Sequence, residues 1–352
     1  MAKHDLGDME ALRATLQDWL RANLPDAAAL ELLELKFPEE SGESSVSLIL
    51  KVSHNGSETG MVCRMKPPAS EVFAEHDLPL QYNLMAMAAE NDIPVPPLLG
   101  FEGDESLVGS DFYIMGFVEG QVPTDNPPYC FGSWVTELSE DERRTMWRNG
   151  LEIVAKIHQI DLERYDVSAI PAPAPDASPA QHEIDKFESM FDEAIRARVP
   201  AVLVEAVQYI HDHAPQDGPR RLCWGDCRPG NVIWKNLKPN AIIDWEMASI
   251  GDPLQDVAGW FWIDYVNSVG LGMERLSGLP TTEELYSAWH DLSGLPSEHS
   301  DYYDLFCLVR YAIIQEKKLV AMEKAGLDNI GNFAVPIMEQ KLRECQAGAK
   351  VA

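Results

Sequence analysis

Three polar side chains near the middle of the chain have the types and the spacing needed for chemistry on a charged group. Asp226 is followed five positions later by Asn231, and a Pro-Gly pair between them favours a tight loop. A short β-type run follows Asn231, a turn is predicted over 236–240, and a second β-type run leads to Asp244. A strand–turn–strand hairpin of this kind is expected to bring Asp226, Asn231 and Asp244 close together.

The chemistry that suits such a set is phosphoryl transfer. A carboxylate can accept the proton of an attacking hydroxyl group. An amide oxygen and a second carboxylate are the hard oxygen ligands with which proteins hold Mg²⁺ against nucleotide phosphates. The spacing of one acid and one amide five positions apart therefore predicts a site where a hydroxyl group attacks a metal-bound phosphate.

Two strings in this region carry a family resemblance. Residues 224–233 read W-G-D-C-R-P-G-N-V-I, and residues 243–256 read I-D-W-E-M-A-S-I-G-D-P-L-Q-D. They resemble the aminoglycoside phosphotransferase family, in the branch that includes the kinase-like domains attached to some acyl-CoA dehydrogenases. That branch typically reads H-G-D-x-R-x-G-N-x-I and then L-D-W-E-x-A-x-x-G-D-P-x-x-D. The resemblance extends over roughly residues 40–260.

The resemblance implies an α+β, two-lobed, protein-kinase-like fold. Residues 1–115 are expected to form an N-terminal helix and a small β-rich nucleotide-binding lobe, and residues 116–352 a helical catalytic and substrate-binding lobe. The implied activity transfers the γ-phosphate of ATP to a hydroxyl group of a small molecule and depends on Mg²⁺. GTP as the donor, and an antibiotic or a hydroxyacyl or other metabolite as the acceptor, remain open.

The same resemblance implies roles for individual residues of the second lobe. Asp226 is implied to be the catalytic base, and Asn231 and Asp244 are implied to be Mg²⁺ ligands, with Glu246 as a further candidate ligand. Arg228 is expected either to contact phosphate or to brace the loop. Asp256 resembles the buried acid that supports the catalytic loop in this family.

A second group of residues is implied to hold the nucleotide. The backbone of 116–118 is implied to be the adenine-binding hinge, and a Gly/Ser-rich turn at 41–45 is the candidate phosphate cover. The candidate nucleotide contacts are Arg64, Lys66, Ser44, Gly116 and Val118.

Two positions of the first lobe depart from the family pattern. The ATP-binding Lys of the third strand aligns with Arg64, and the helix Glu that pairs with that Lys aligns with Gln81. An Arg is not an equivalent phosphate ligand, and an Arg–Gln contact is weaker than an ion pair. These departures favour the alternative function, a catalytically impaired pseudokinase that acts as a nucleotide-binding or interaction module.

The elements that must position these residues can be predicted from periodicity. Apolar residues at helical spacing predict an N-terminal helix over 8–24, and Asn55-Gly56 between two β-type runs predicts a hairpin. A helix and two further strands complete the predicted first lobe, at 80–90, 98–101 and 112–115. Beyond Gly120 the patterns predict mainly helices, the clearest at 140–160, 181–198 and 199–213. The Pro- and Ala-rich stretch 170–179 is predicted to be a surface loop with few means of packing.

Composition excludes several classes of function. The chain has 28 basic and 57 acidic residues and a net charge of −29, which disfavours binding to nucleic acid or to anionic lipid. The N-terminus lacks the apolar region of a secretion signal, and six scattered cysteines suit free thiols in a reducing compartment. We therefore expect a cytoplasmic protein with no nucleic-acid or membrane partner; the sequence does not determine the oligomeric state.

Overall fold

The chain divides into two units, Met1–Glu119 and Gly120–Ala352. The computed structural model describes residues 8–38, 46–66, 77–328 and 331–349. The first unit is built around one antiparallel sheet, whereas helices dominate the second unit. The protein is thus a mixed α+β structure, as expected from the sequence.

The first unit contains two helices and a five-stranded sheet. The strand order is β1-β2-β3-β5-β4, with every neighbouring pair antiparallel. The elements are α1 (Met9–Asn23), β1 (Glu31–Lys36), β2 (Val46–His54), β3 (Ser57–Met65), α2 (Leu78–Glu90), β4 (Leu98–Glu102) and β5 (Phe112–Gly116).

The hairpin between β2 and β3 forms where the sequence predicts it. Asn55 and Gly56 have φ of 51 and 79, and a two-residue turn of this kind needs positive φ at both central positions. The register pairs Val46 with Met65 and His54 with Ser57, so the two strands pair along their whole length. This register places Arg64 beside Ser47 on one side and Tyr113 of β5 on the other.

One face of the sheet is covered by α1. Leu16 and Leu20 of α1 are fully buried and belong to one apolar cluster with alternate residues of β2 and β3, such as Leu48 and Cys63. Because side chains alternate between the faces of a strand, Arg64 points to the opposite face from this cluster. The N-terminal helix begins where Asp8 accepts hydrogen bonds from the first-turn amides, a standard helix cap.

The second unit consists of nine helices and two small antiparallel sheets within its described residues. The strands are β6 (Arg221–Cys223), β7 (Val232–Lys235), β8 (Lys238–Ile242) and β9 (Ser249–Gly251), which pair as β6-β9 and β7-β8. The helices are α3 (Trp134–Glu137), α4 (Glu140–His158), α5 (Gln181–Met190), α6 (Glu193–Arg196), α7 (Ala201–Asp212), α8 (Leu254–Ser268), α9 (Thr282–Ser293), α10 (Ser300–Lys324) and α11 (Val335–Ala349).

The core of the second unit lies around α8 and α10. Both helices are buried over most of their length. α8 packs against α4, α9 and α10, and α10 packs against α7, α8 and α11. Gly150 of α4 is required here, because a Cβ at this position would lie 2.4 Å from the ring of Trp260. Capping boxes start two of the helices, with Ser139 and Glu142 at α4 and Thr281 and Glu284 at α9. Among the described residues, no helix is both long enough and apolar enough to cross a bilayer.

Three details of the second unit differ from the prediction. The helix predicted over 181–198 is two helices, because Asp192 caps a new helix by accepting a hydrogen bond from Ile195 N at 2.9 Å. The turn predicted over 236–240 is tighter: β8 already begins at Lys238, and Asn236 and Leu237 alone form the turn with φ of 53 and 61.

The third difference is the Pro- and Ala-rich loop. Pro171 O accepts a hydrogen bond from Ile250 N at 2.8 Å, and the guanidinium of Arg220 donates to four carbonyl groups of the loop. These carbonyls belong to Pro173, Ala174, Pro175 and Ala177. The prediction that this loop has few means of packing was wrong, because one distant arginine supplies the donors that its own prolines lack.

Candidate active site

The loop between β6 and β7 carries the candidate catalytic residues. It leaves β6 through Gly225, which has φ of 90, a left-handed conformation that favours glycine. A Cβ at Gly225 would lie 2.1 Å from the carbonyl oxygen of Met247, so the loop can pass here only with a glycine. A 3₁₀ turn over Pro229–Asn231 then leads into β7, which fixes the separation of Asp226 and Asn231.

The side chain of Asp226 is held through one of its two oxygens. Asn231 Nδ2 donates to Asp226 Oδ2 at 2.6 Å and to the Asp226 carbonyl at 2.9 Å. Arg228 Nε donates to the same Oδ2 at 3.0 Å. Within the described residues, no hydrogen bond reaches Asp226 Oδ1, so this oxygen can accept a proton donor from a bound molecule.

The ionisation of Asp226 follows from these neighbours. Burial opposes the charged form, but the charge of Arg228 and the hydrogen bonds from Arg228 and Asn231 outweigh it and lower the pKa of Asp226. Asp226 is therefore a carboxylate at neutral pH. A carboxylate with a lowered pKa orients a hydroxyl group well and removes its proton only late, which suits phosphoryl transfer with a loose transition state.

Arg228 is bound by two carboxylates. Its Nε contacts Asp226, and its Nη1 forms a hydrogen-bonded ion pair with Asp125. The two acidic neighbours outweigh the effect of burial and raise the pKa of Arg228. Sequence reasoning missed Asp125, because it belongs to no recognisable motif and lies 103 residues before its partner.

Asp244 follows β8 and lies beside the same loop. Ile243 N donates to Asn231 O at 3.0 Å, so the chain around Asp244 is bonded to the backbone of the predicted amide ligand. The indole Nε1 of Trp224 donates to the carbonyls of Ile243 and Asp244, each at 3.1 Å. Asp244 has φ of 63, a strained conformation that Asp tolerates better than most residues and that these contacts hold in place. The hairpin thus places the backbone of Asp244 beside the loop that carries Asp226 and Asn231, with Glu246 two residues further along.

These side chains fit a hard divalent cation. Because Asn231 Nδ2 is directed at Asp226, its amide oxygen is left to serve as a ligand, and Asp244 and Glu246 are the carboxylates that would join it. No group of three or more His, Cys, Asp and Glu side chains in the described part of the chain is arranged to hold a metal ion. Mg²⁺ commonly takes only one or two carboxylates from the protein and completes its shell with phosphate oxygens and water, which is compatible with this set.

A buried chain of hydrogen bonds supports the loop from below. Asp256, which is fully buried, accepts hydrogen bonds from Trp224 N at 2.6 Å and Gly225 N at 2.9 Å. His158 Nε2 lies 3.1 Å from the same carboxylate, and Trp289 Nε1 donates to His158 Nδ1 at 3.0 Å. Since Trp289 can only donate, His158 carries its proton on Nε2 and donates to Asp256. Asp256 therefore makes the contacts that the resemblance implies.

Cys227, next to the candidate base, is poorly suited to act as a nucleophile. It is fully buried, and burial together with the charges of Asp256 and Asp226 raises the pKa of its thiol well above the ordinary value. A thiol held in its neutral form is unreactive. Cys223 is also buried, and burial raises the pKa of its thiol in the same way.

The candidate nucleotide residues lie in the first unit. Arg64 is half-buried on β3, and Lys66 is exposed just beyond the end of that strand. Gly116 ends β5 and donates its backbone N–H to Pro97 O at 2.8 Å, and Val118 lies two residues further along the chain. Ser44, with the whole candidate phosphate-covering turn at 41–45, lies outside the described residues.

Gln81, which aligns with the family's helix Glu, is buried on α2. It is 2% exposed, and its Nε2 has no hydrogen-bond partner among the residues that the structure describes. A buried amide N–H group without a partner is unfavourable by about 1–3 kcal/mol, so Gln81 lowers the stability of the first unit.

The curated proteins that match this chain are longer than the chain itself. Acyl-CoA dehydrogenase family member 11 from Pongo abelii is 25% identical over 244 residues, which is 67% of this chain and 30% of the relative. Acyl-CoA dehydrogenase family member 10 from Mus musculus is 25% identical over 328 residues, covering 90% of this chain and 28% of the relative. The chain thus spans about 30% of the length of these relatives.

Solved structures share the fold at low sequence identity. A candidate aminoglycoside phosphotransferase from Ralstonia eutropha matches with a TM-score of 0.72 at 20% identity, covering 97% of this chain and 98% of its own. Choline kinase from Streptococcus pneumoniae matches with a TM-score of 0.54 at 16% identity, covering 94% and 98%. The model of the phosphotransferase enzyme family matches residues 41–285, well over half of the sequence. The chain has the fold of the aminoglycoside phosphotransferases and belongs to the phosphotransferase enzyme family.

Proposed function

We propose that this protein is a small-molecule kinase that transfers the γ-phosphate of ATP to a hydroxyl group in an Mg²⁺-dependent reaction. The observation that carries the proposal is the environment of Asp226. One carboxylate oxygen is fixed by Asn231 and Arg228, while the other receives no hydrogen bond from the described residues. A carboxylate held in this way is preorganised to bind and deprotonate an acceptor hydroxyl.

In this proposal the catalytic base and the metal ligands have separate roles. Asp226 Oδ1 orients the hydroxyl group, whose oxygen forms a bond to the γ-phosphorus as the bond to the bridging oxygen of ADP breaks. The hydroxyl proton passes to Asp226. Asn231 and Asp244 would hold Mg²⁺, with Glu246 as a further candidate ligand. The metal supplies neutralising charge for the nucleotide phosphates when bound.

The nucleotide is assigned to the first unit, including the segment 116–118 at the end of β5. Arg64, Lys66 and Ser44 are the proposed phosphate contacts, and the backbone of Gly116 and Val118 is the proposed adenine site. The second unit is proposed to carry the catalytic and acceptor sites. The acceptor is an unidentified small hydroxyl compound: aminoglycoside phosphotransferases share the fold, while the acyl-CoA dehydrogenase relatives favour a hydroxyacyl or other metabolite.

The first test is thermal stabilisation by nucleotide. Purified protein is titrated with ATP and with GTP, each with and without Mg²⁺, and a Tm increase that requires Mg²⁺ is expected. Hydroxyl-bearing compounds are then screened by ADP release, with Asp226→Asn as the inactive variant and Asp244→Ala as the variant defective in Mg²⁺-dependent binding. Turnover by Asp226→Asn at the wild-type rate would exclude Asp226 as the base.

A pseudokinase is the second candidate, and the environment of Gln81 favours it. The buried amide stands where an ion-pairing carboxylate is expected, and its Nε2 has no hydrogen-bond partner among the described residues. Absence of stabilisation by either nucleotide would support this alternative. Substituting Gln81→Glu distinguishes the two, because it is expected to increase ADP release in a working kinase, whereas a pseudokinase releases no ADP with either residue.

A further inference from the structure

Asp125 lies in a loop that is fastened to the strand following the catalytic loop. Gln121 and Trp234 of β7 exchange two backbone hydrogen bonds, each 2.8 Å long. Tyr129 N donates to Thr124 O at 2.8 Å, which closes the loop around Asp125. The backbone on both sides of Asp125 is therefore fixed relative to β7.

The carboxylate of Asp125 completes the coordination of Arg228. Arg228 donates through Nε to Asp226 and through Nη1 to Asp125, so its planar guanidinium is held between two carboxylates in one orientation. Arg228 is mostly buried, whereas the side chain of Asp125 is 49% exposed. Because the Asp125 side chain is half-exposed, the ion pair is expected to contribute little to stability. Its main effect is therefore expected to be on the orientation of the Arg228 guanidinium.

Gly230 supplies independent support, because its lack of a side chain makes room for the ion pair. A Cβ at this position would lie 2.6 Å from Arg228 Nη1 and 3.3 Å from Asp125 Oδ1. Gly230 is not among the residues with positive φ, so backbone conformation does not explain the glycine. The space it leaves is occupied by the contact between Asp125 and Arg228.

We propose that Asp125 is a positioning residue for the catalytic base: it holds Arg228 in the orientation that directs Asp226 Oδ1 towards the acceptor. Arg228 and Asn231 together restrain Asp226 Oδ2 from two sides. Without Asp125, Arg228 can rotate away, and only Asn231 then holds the carboxylate. This inference rests on the proposed kinase function for its catalytic consequence but not for its structural one.

The structural consequence can be measured without turnover. The Nε–H signal of Arg228 in a ¹⁵N–¹H spectrum, identified by its loss in Arg228→Lys, is expected to be protected from solvent exchange in the wild-type protein. Asp125→Asn and Gly230→Ala are both expected to accelerate its exchange by on the order of tenfold, because each releases the guanidinium. Asp176→Asn, which removes one exposed acid from another loop of the same unit, serves as the charge-matched control.

The catalytic consequence is measured as consumption of Mg²⁺·ATP with water as the acceptor. Asp125→Asn is expected to lower kcat on the order of 10- to 100-fold through misplacement of the base, with KM for ATP changed by no more than about twofold. Asp125→Glu should recover part of the lost rate. The Tm should remain at the wild-type value in Asp125→Asn, Asp125→Glu and Asp176→Asn. A merely structural role for Asp125 would instead lower Tm and affect kcat and KM together.

The outcomes separate the two proposals. Unchanged exchange of the Arg228 Nε–H in Asp125→Asn would overturn the positioning role, whatever the activity. If the wild-type protein consumes no ATP with water or with any hydroxyl compound of the screen, the kinase proposal fails, while the exchange measurement still decides whether Asp125 fixes Arg228. If the exchange rate rises but kcat of Asp125→Asn equals that of Asp176→Asn, Asp125 orients Arg228 without positioning the base, and the inference is wrong.

Discussion

Substitution of Asp256 by Asn tests the support of the catalytic loop most directly. The carboxylate accepts three hydrogen bonds in a fully buried site, from Trp224 N, Gly225 N and His158 Nε2. Asparagine keeps the shape but replaces one acceptor oxygen by an NH₂ group. In the better of its two orientations the amide oxygen faces Trp224 and His158, and the NH₂ group faces the N–H of Gly225.

The cost can be worked out from these contacts. The hydrogen bond from Gly225 N–H is lost, and two buried donors, that N–H and the new NH₂ group, are left unsatisfied at about 1–3 kcal/mol each. The two remaining bonds lose their charge assistance, while the neutral amide is easier to bury than a carboxylate and offsets part of the loss. We expect a net destabilisation of about 3 kcal/mol, or a decrease in Tm of roughly 6–12 °C for a unit of this size.

The assay is thermal unfolding of Asp256→Asn beside Asp252→Asn. Asp252 is a matched control: it is also fully buried and lies next to the start of the same helix, but it accepts one backbone hydrogen bond, from Leu254 N at 2.9 Å. Its Oδ2 has no hydrogen-bond partner among the described residues. Asp252→Asn at pH 8 is therefore expected to be neutral or stabilising. If the two variants had the same Tm, the hydrogen bonds to Asp256 would not support the loop and the reasoning would be refuted.

Three further predictions concern the same unit. Burial raises the pKa of Asp252 to about 7, above its value of about 3.9 in an unfolded chain, so the folded state binds more protons between these values and stability falls as pH rises from about 4 to 7. The stability advantage of Asp252→Asn over the wild type should accordingly be small at pH 4.5 and reach its maximum above pH 7 in urea unfolding; a constant difference would contradict the raised pKa. Gly225→Ala is expected to prevent correct folding of the catalytic loop, because its Cβ would lie 2.1 Å from Met247 O, and a wild-type circular dichroism melt would refute the close approach. Trp289→Phe leaves His158 Nδ1 without its donor and should lower the unfolding free energy by about 1–3 kcal/mol more than Trp260→Phe, measured by urea titration. Trp260 is the matched control because it is also fully buried and its Nε1 has no hydrogen-bond partner among the described residues.

Short-range features were well predicted from the sequence. The turn at Asn55-Gly56 needs positive φ at two successive residues, and few residue pairs other than Asn-Gly provide it. The contact between Asp226 and Asn231 joins residues five positions apart, so the tight loop between them determines it. In both cases the local backbone conformation fixes the result.

Contacts between distant segments could not be predicted in the same way. Asp125 and Arg228 are 103 residues apart, and nothing in the sequence around Asp125 distinguishes it from other loop acids. The indole of Trp224 donates to the backbone at Ile243 and Asp244, a contact that depends on how the whole hairpin packs. The break before α6 depended on a single cap, Asp192, whose effect competes with the helical periodicity around it.

The arginine that binds the Pro- and Ala-rich loop has a consequence for limited proteolysis. Segments with such a composition are preferred cleavage sites when they can adopt an extended shape within a protease. Here Arg220 engages the carbonyls of Pro173, Ala174, Pro175 and Ala177, so the segment must first leave the guanidinium before a protease can bind it. Elastase is therefore expected to spare residues 172–177 in the native protein, and Arg220→Met should create a new cleavage site there.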